Sequence, residues 1–493
     1  MPDPCTTLPS APSTAPDVTV LRIEIAVAPG RPNVSAALGL LAQAPADAPC
    51  FYWSDPDGPT IAAYGAVLAV SGHGRDRITD VGRKCAEATV RITMVAAGAD
   101  DTRPGAGAPT AGAIWLGGLA FDDHVGAEGP WSGFPAAWFV LPEVCLAIWA
   151  DLAWLMLAGT TGAADLSVRA REAFALLARP TASQPAHGRA NSDDADGAVA
   201  TKAELAEPDP GLRARVTRVI EAIRRGEAEK VVLATSRTVS PAPDLDPLHV
   251  LARLEQAQPG CFHYMIAPRP GLAFVGASPE RLVRVHGDRL ATTALAGSAR
   301  RHADPAIDGQ LGADLLASPK DRAEHALVVN AISTALSDYS VELPSEPRLR
   351  RLATIQHLET PVSARLPGQG DVLAEAARLH PTPALGGTPR EAALSLIRAH
   401  EGIERGWYGG AVGWIDGRGN GDLTVAIRCL LLRDGATTAF AGAGLVATSD
   451  PDAEVGEIML KLDATLPVVQ PGRHEAGGDD ESRSRFPHPD KEL

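Results

Sequence analysis

A chain of 493 residues is too long for one small core, and its 45 % apolar and 21 % charged content is that of a folded globular protein. The formal net charge of −15 excludes a nucleic-acid partner, because no basic face is there to neutralise phosphates. The same charge would repel a small dianionic substrate, so a local cation would have to attract it.

Residues 1–17, rich in Pro, Thr and Ser, read as a disordered N-terminus. They lack the basic start and apolar stretch of a secretion signal. Six scattered cysteines with no CxxC pair exclude a zinc framework or disulfide scaffold and fit a cytoplasmic protein. Residues 18–183 form an N-terminal scaffold lobe, with strands expected at Val18 to Val27 and Ala113 to Phe121 and a helix over Ile78 to Val95. The apolar stretch Val144 to Ala158 carries Asp151 and falls short of the roughly 20 residues a membrane helix needs, so no membrane span is expected. Residues 184–202 are a polar, flexible linker.

The catalytic lobe, residues 203–470, opens on Asp209-Pro210, an expected N-cap and first helical turn, followed by Leu212, Val216, Val219, Ile220 and Ile223 at helical spacing. A strand follows from Lys230 through Val239, then a helix from Pro247 to Gln256 behind Asp246. Short β-prone runs come next: Phe262 to Ile266, Leu272 to Gly276, Leu282 to Val285 and Leu290 to Leu295. The last two flank the turn His286-Gly287-Asp288 as a hairpin. Helices surround Ser318-Pro319 and cover Pro389 to His400. A further hairpin is expected with strands Ala411 to Ile415 and Leu423 to Leu431, around the turn Asp416 to Gly421. Residues 471–493 read as a disordered tail. Grouped antiparallel strands covered by helices define an α+β fold.

Carboxylates carry most of the chemical signal. Asp450-Pro451 starts a helix on which Glu454 and Glu457 share a face, with Lys461 one turn on. Alone, that pattern also suits an exposed helix with an ordinary Glu457–Lys461 pair. Glu324 heads the apolar stripe Val328, Ala331, Ala335 of a second helix, or else snorkels at the surface. Carboxylates from two helices can hold magnesium, which takes one or two of them and keeps waters. Lys230 at a strand start and Glu280 after Ser-Pro each read, singly, as solvated flanks. Arg428 lies in TVAIRCLLL, a run apolar on both faces, where a buried guanidinium needs an anionic partner. The Gly417-x-Gly419-x-Gly421 run has no lysine or helix after it and reads as a hairpin turn, not a nucleotide loop.

Taken together, EKVVLA, FVGASPERLVRV, TTALAGSARR, LLASPKDRAEH, IQHLET, LHPTPALGGTPREAA, RGWYGGAVGWID, TVAIR and AGAGLVATSDPDAEVGE resemble the chorismate-utilising enzymes, a family of isochorismate, salicylate, anthranilate and aminodeoxychorismate synthases. The resemblance runs from about Glu229 to Leu466 and implies a large two-lobed fold of mainly antiparallel sheets. More loosely, FYWSDPDG and IWLGGLAFDD resemble the leading lobe of these enzymes. It implies that Lys230 is the base activating water for attack at ring carbon 2, and Glu280 the acid protonating the hydroxyl that leaves carbon 4. Glu324 and Glu457 match the magnesium ligands, and Glu454 an acid acting through a metal-bound water. Arg428, Lys461 and the amides near Gly442 and Gly297 match groups holding the substrate carboxylates, while His357, Ala384 and Leu385 match positions lining the ring.

Within the family, ammonia-using members carry glutamine where this chain has Lys230, so water is the implied nucleophile and no amidotransferase subunit is expected. The covalent lysine of the aminodeoxychorismate type is replaced by Ala296. The implied activity is isochorismate synthesis from chorismate, reversible and magnesium-dependent, feeding menaquinone or siderophore pathways. The alternatives are a salicylate synthase, which eliminates pyruvate in the same pocket, and a non-catalytic chorismate-binding subunit. An ordinary lysine cannot accept a proton at neutral pH unless burial or nearby positive charge lowers its pKa, and a glutamate cannot donate one unless its pKa is raised.

Overall fold

Two large sheets draw strands from both ends of the sequence, and the site lies where they meet. The computed structural model describes residues 17–26, 33–97, 112–149, 152–178, 204–205, 209–240 and 245–469. The linker 184–202, the tail 471–493 and all of 1–17 but Asp17 lie outside these residues.

Among the described residues, one sheet has 13 strands and the other 10. Among the described strands, only Val18–Ala26 and Ile92–Ala97 pair in parallel; the other pairings are antiparallel. Among the described residues, ten helices pack on these sheets. The larger sheet is joined where Phe262–Arg269 pairs with Cys50–Ser54, in register His263↔Ser54 and Ile266↔Phe51. The smaller is joined where Ala411–Asp416 pairs with Ile114–Leu119, in register Gly413↔Gly117. This second seam requires glycine. A Cβ on Gly118 would stand 2.4 Å from the Ala411 carbonyl oxygen and 2.5 Å from the Trp407 ring. Both sheets therefore run through strands from either side of residues 184–202, and the core is shared. Trp131 packs on Phe274 and Phe440 with ring centroids 5.2 and 5.5 Å apart, and Phe134 on Trp407 at 5.2 Å.

Many expected elements form. Asp246, Ser318 and Asp450 cap the helices Pro247–Ala257, Pro319–Ala335 and Pro451–Thr465 through side-chain oxygens that accept from Leu248, Asp321 and Ala453 amides. Arg281–His286 and Arg289–Arg300 form the expected hairpin. The apolar stretch from Val144 is two strands, Val144–Trp149 and Leu152–Gly159, and no helix among the described residues is long and apolar enough to cross a membrane.

Three expectations are corrected. The helix over Ile78 to Val95 stops at Thr89, and Ile92–Ala97 is a strand, because its β-branched residues find a partner in Val18–Ala26. Asp209 is not the N-cap. Gly211 holds that position, while Asp209 accepts from its amide at 2.8 Å and pairs with Arg215. The strand Leu423 to Leu431 is two strands in different sheets, Gly421–Val425 and Cys429–Arg433. The chain turns between them at Arg428, whose φ of 50° breaks the extended backbone.

Candidate functional site

A cavity of about 170 Å³ opens at this junction. Its floor is the paired strands Lys230–Ser240 and Ala436–Val446; helices Pro319–Ala335 and Pro451–Thr465 flank it. Strand Arg289–Arg300 closes another side with a bulge between Ala296 and Ser298, where Gly297 has φ +77°.

Lys230 is only 1 % exposed, so it is not a solvated strand flank. Its Nζ lies 2.9 Å from Glu324 Oε1. Gly444, on the neighbouring strand, makes room for the pair: a Cβ there would be 2.5 Å from that carboxylate oxygen and 2.8 Å from Lys230 Cε. Glu280 is 3 % exposed and sits where the chain crosses from the larger sheet, at Ser278, to the smaller, at Arg281. Burial pushes its pKa up to about 8, against the opposing influence of nearby Lys230 and the Thr382 hydroxyl. Glu280 is therefore a protonated carboxyl at neutral pH.

Arg428 meets a different partner from the carboxylate expected. Its Nη2 donates to His357 Nε2 at 2.7 Å, and no Asp or Glu among the described residues pairs with it. Because guanidinium can only donate, His357 must accept at Nε2 and carry its proton on Nδ1, which faces Ser298 Oγ at 3.0 Å and the Gly297 carbonyl at 3.3 Å. Burial, with Arg428 and Lys461 nearby, holds His357 well below the usual imidazole range, consistent with that neutral tautomer. Arg428 thus keeps its charge uncompensated at the cavity wall, and an anionic ligand can supply the missing partner.

On helix Pro451–Thr465, Lys461 Nζ pairs with Glu457 at 2.7 Å and donates to the Gly442 carbonyl at 3.0 Å. Burial would raise the Glu457 carboxyl, but Lys461, Lys320 and Lys230 hold it below the ordinary range. Glu454, 2 % exposed, accepts from Ser449 Oγ at 2.7 Å and Lys320 Nζ at 2.9 Å, and does not line the cavity. The other expected residues, Lys230, Glu280, Gly297, Glu324, His357, Ala384, Leu385, Arg428, Gly442, Glu457 and Lys461, all line it.

No group of three His, Cys, Asp or Glu residues among those described is gathered closely enough to hold a metal ion. Even so, the donor chemistry suits a hard divalent cation. Glu324 and Glu457 bring carboxylates from two helices to one wall, and such an ion needs only one or two of them beside water. Each carboxylate now has a lysine as its counter-ion.

Sequence reasoning missed several parts. Lys320, in the same SPKD turn as the Ser318 cap, lines the cavity and pins Glu454. Tyr408 lines it too, stacked on Phe440 with centroids 5.4 Å apart. Glu401 and Arg405 form a buried pair behind the wall. Arg405 donates to Glu401 at 2.6 Å and to the carbonyls of Leu385 and Val232, while Glu401 accepts from the Ala234 amide.

A buried amine, a buried carboxyl of raised pKa and a guanidinium without a carboxylate partner among the described residues, gathered around one cavity, suit an enzyme acting on a small anionic substrate. The chain matches the sequence model of the chorismate binding enzymes over residues 25–470, and it belongs to that family. It is 38 % identical over 426 residues to the salicylate biosynthesis isochorismate synthase of Pseudomonas aeruginosa, with 84 % of each chain covered. With the isochorismate synthase MenF of Bacillus subtilis it shares 33 % identity, over 71 % of this chain and 73 % of that one. Its fold is that of the menaquinone-specific isochorismate synthase MenF from Escherichia coli, with a TM-score of 0.71 at 24 % identity, covering 92 % and 95 % of the two chains.

Proposed function

We propose that this chain is an isochorismate synthase: it adds water to carbon 2 of chorismate and expels the hydroxyl from carbon 4. The observation that carries the reading is the buried Glu280, neutral below about pH 8 and opening onto the same cavity as Lys230. In its neutral form Lys230 takes the proton of the attacking water, and Glu280 gives its proton to the departing hydroxyl, which leaves as water. In the reverse direction the two exchange roles, so the reaction is reversible. Arg428 and Lys461 bind the substrate's carboxylates, the first through a fork that no carboxylate among the described residues fills. His357, Ala384 and Leu385, with the Gly297 and Gly442 backbone, bound the ring. From Glu324 and Glu457, with Glu454 reached through water, bound magnesium would supply fixed positive charge for the carboxylate at ring carbon 1.

Nothing in this chemistry calls for an amidotransferase partner, and the five described free cysteines suit the cytoplasm. The product would feed menaquinone or siderophore synthesis. The test is to incubate the purified protein with chorismate and magnesium, following isochorismate by chromatography and salicylate by fluorescence. Isochorismate without pyruvate is expected. Abundant salicylate and pyruvate would make it a salicylate synthase, and chorismate binding without turnover a non-catalytic subunit.

A further inference from the structure

The peptide that carries Glu280 is held from behind by a charge network outside the cavity. Arg281 is the residue after the acid. Its Nε lies 3.0 and 3.3 Å from the two Asp422 oxygens, and its Nη2 lies 2.8 Å from Asp55 Oδ2. Arg284 joins the same two carboxylates, through Nε to Asp422 at 2.6 Å and through Nη2 to Asp55. Both aspartates are almost wholly buried, with side chains 2 % and 0 % exposed. Two cations and two anions balance, so the cluster carries no net charge to place elsewhere. The Glu280 carbonyl accepts from the Thr424 hydroxyl at 2.6 Å and the Val425 amide at 3.0 Å, fixing the front of the same peptide.

Asp55 comes from the N-terminal portion, at the tight turn after strand Cys50–Ser54. Its side chain accepts from the Asp57 amide at 3.0 Å. A Cβ at Gly58 would fall 2.4 Å from Asp55 Oδ2, so glycine there leaves the carboxylate free to reach the arginines. The crossing between sheets is only Pro279 and Glu280, so the residues at its two ends set where the acid stands.

We infer that Asp55 is a positioning residue: acting through Arg281, it fixes the sheet-crossing peptide so that Glu280 meets the leaving hydroxyl. This rests on Glu280 being the acid, and it gives the N-terminal portion a part in turnover. Displacement of a catalytic group by a fraction of an ångström costs turnover more than binding. In the magnesium-loaded full chain, Asp55→Asn is therefore expected to lower kcat about tenfold with KM for chorismate changed less than about twofold. Arg281→Lys, which keeps the charge but not the fork, should do the same, and serves where Asp55→Asn does not fold. In a Glu280→Asp background, where the acid is already displaced by one methylene, either change should cost less than about twofold. An undiminished kcat, a parallel rise in KM, or a full tenfold loss in the Glu280→Asp background would overturn the inference. Glu280→Gln tests the acid separately: wild-type turnover in that variant would remove the acid assignment itself.

Discussion

The charges at the cavity and the charges behind it are built from different cations. At or just behind the cavity wall, three lysines each meet one glutamate through a single nitrogen: Lys230 with Glu324, Lys320 with Glu454, Lys461 with Glu457. Behind it, Arg281, Arg284 and Arg405 bind carboxylates through two or more N–H groups each. An ammonium is a compact point charge on a flexible stem that can exchange partners, whereas a guanidinium fork locks a geometry. The molecule places exchangeable pairs where ligands must enter and locked pairs where the frame must not move. Arg428 is the instructive exception, an arginine at the cavity whose fork faces no carboxylate among the described residues.

The sharpest way to break that contrast is at Lys230. Lys230→Ala is expected to reduce turnover by at least about a thousandfold while chorismate binding stays detectable by calorimetry; near-normal turnover would mean that the buried lysine is structural. Glu324→Gln should cost about a hundredfold in kcat and shift the magnesium titration to higher concentration. An unchanged titration would place the metal elsewhere. On the locked side, Glu401→Gln leaves Arg405 buried without its counter-ion and should destabilise the fold by about 3–5 kcal/mol in urea unfolding.

A smaller effect is expected with pH. Because Glu280 is raised from 4.5 to about 8, it acts as an acid below that value, and kcat should fall as pH rises through it. The folded chain then holds a proton over this interval that the unfolded chain has released, so this carboxyl's contribution to stability is full below pH 4.5 and is lost on the way up to about 8. Unfolding measured against pH should show a steeper slope over this interval in the wild type than in Glu280→Gln. At the bottom of the scale, the exposed Arg213–Asp452 pair belongs to neither class, and Arg213→Ala should leave Tm unchanged.

What could be read from the sequence follows from how local each cause was. The helix starts at Asp246 and Asp450 and the hairpin at Gly287 are short-range chemistry, and they formed as expected. The end of the helix at Thr89 depended on a strand far away in the chain. The break at Arg428 depended on two sheets meeting. Burial of Lys230 and Glu280 was invisible to composition, since each is buried only because distant elements close over it; the family motifs singled them out where residue-by-residue reading favoured the surface. The Asp55–Arg281–Asp422 network was illegible for the same reason, its members coming from three separate strands or turns.

The two seams also set a limit on dissection. A fragment starting near residue 203 would strip the Cys50–Ser54 and Ile114–Leu119 strands from their neighbours. Phe262–Arg269 and Ala411–Asp416 would then become raw edges, apolar and hungry for another chain's backbone. Expressed alone, the half that holds the cavity should precipitate, and supplying residues 1–183 as a separate polypeptide is the natural route to rescue it.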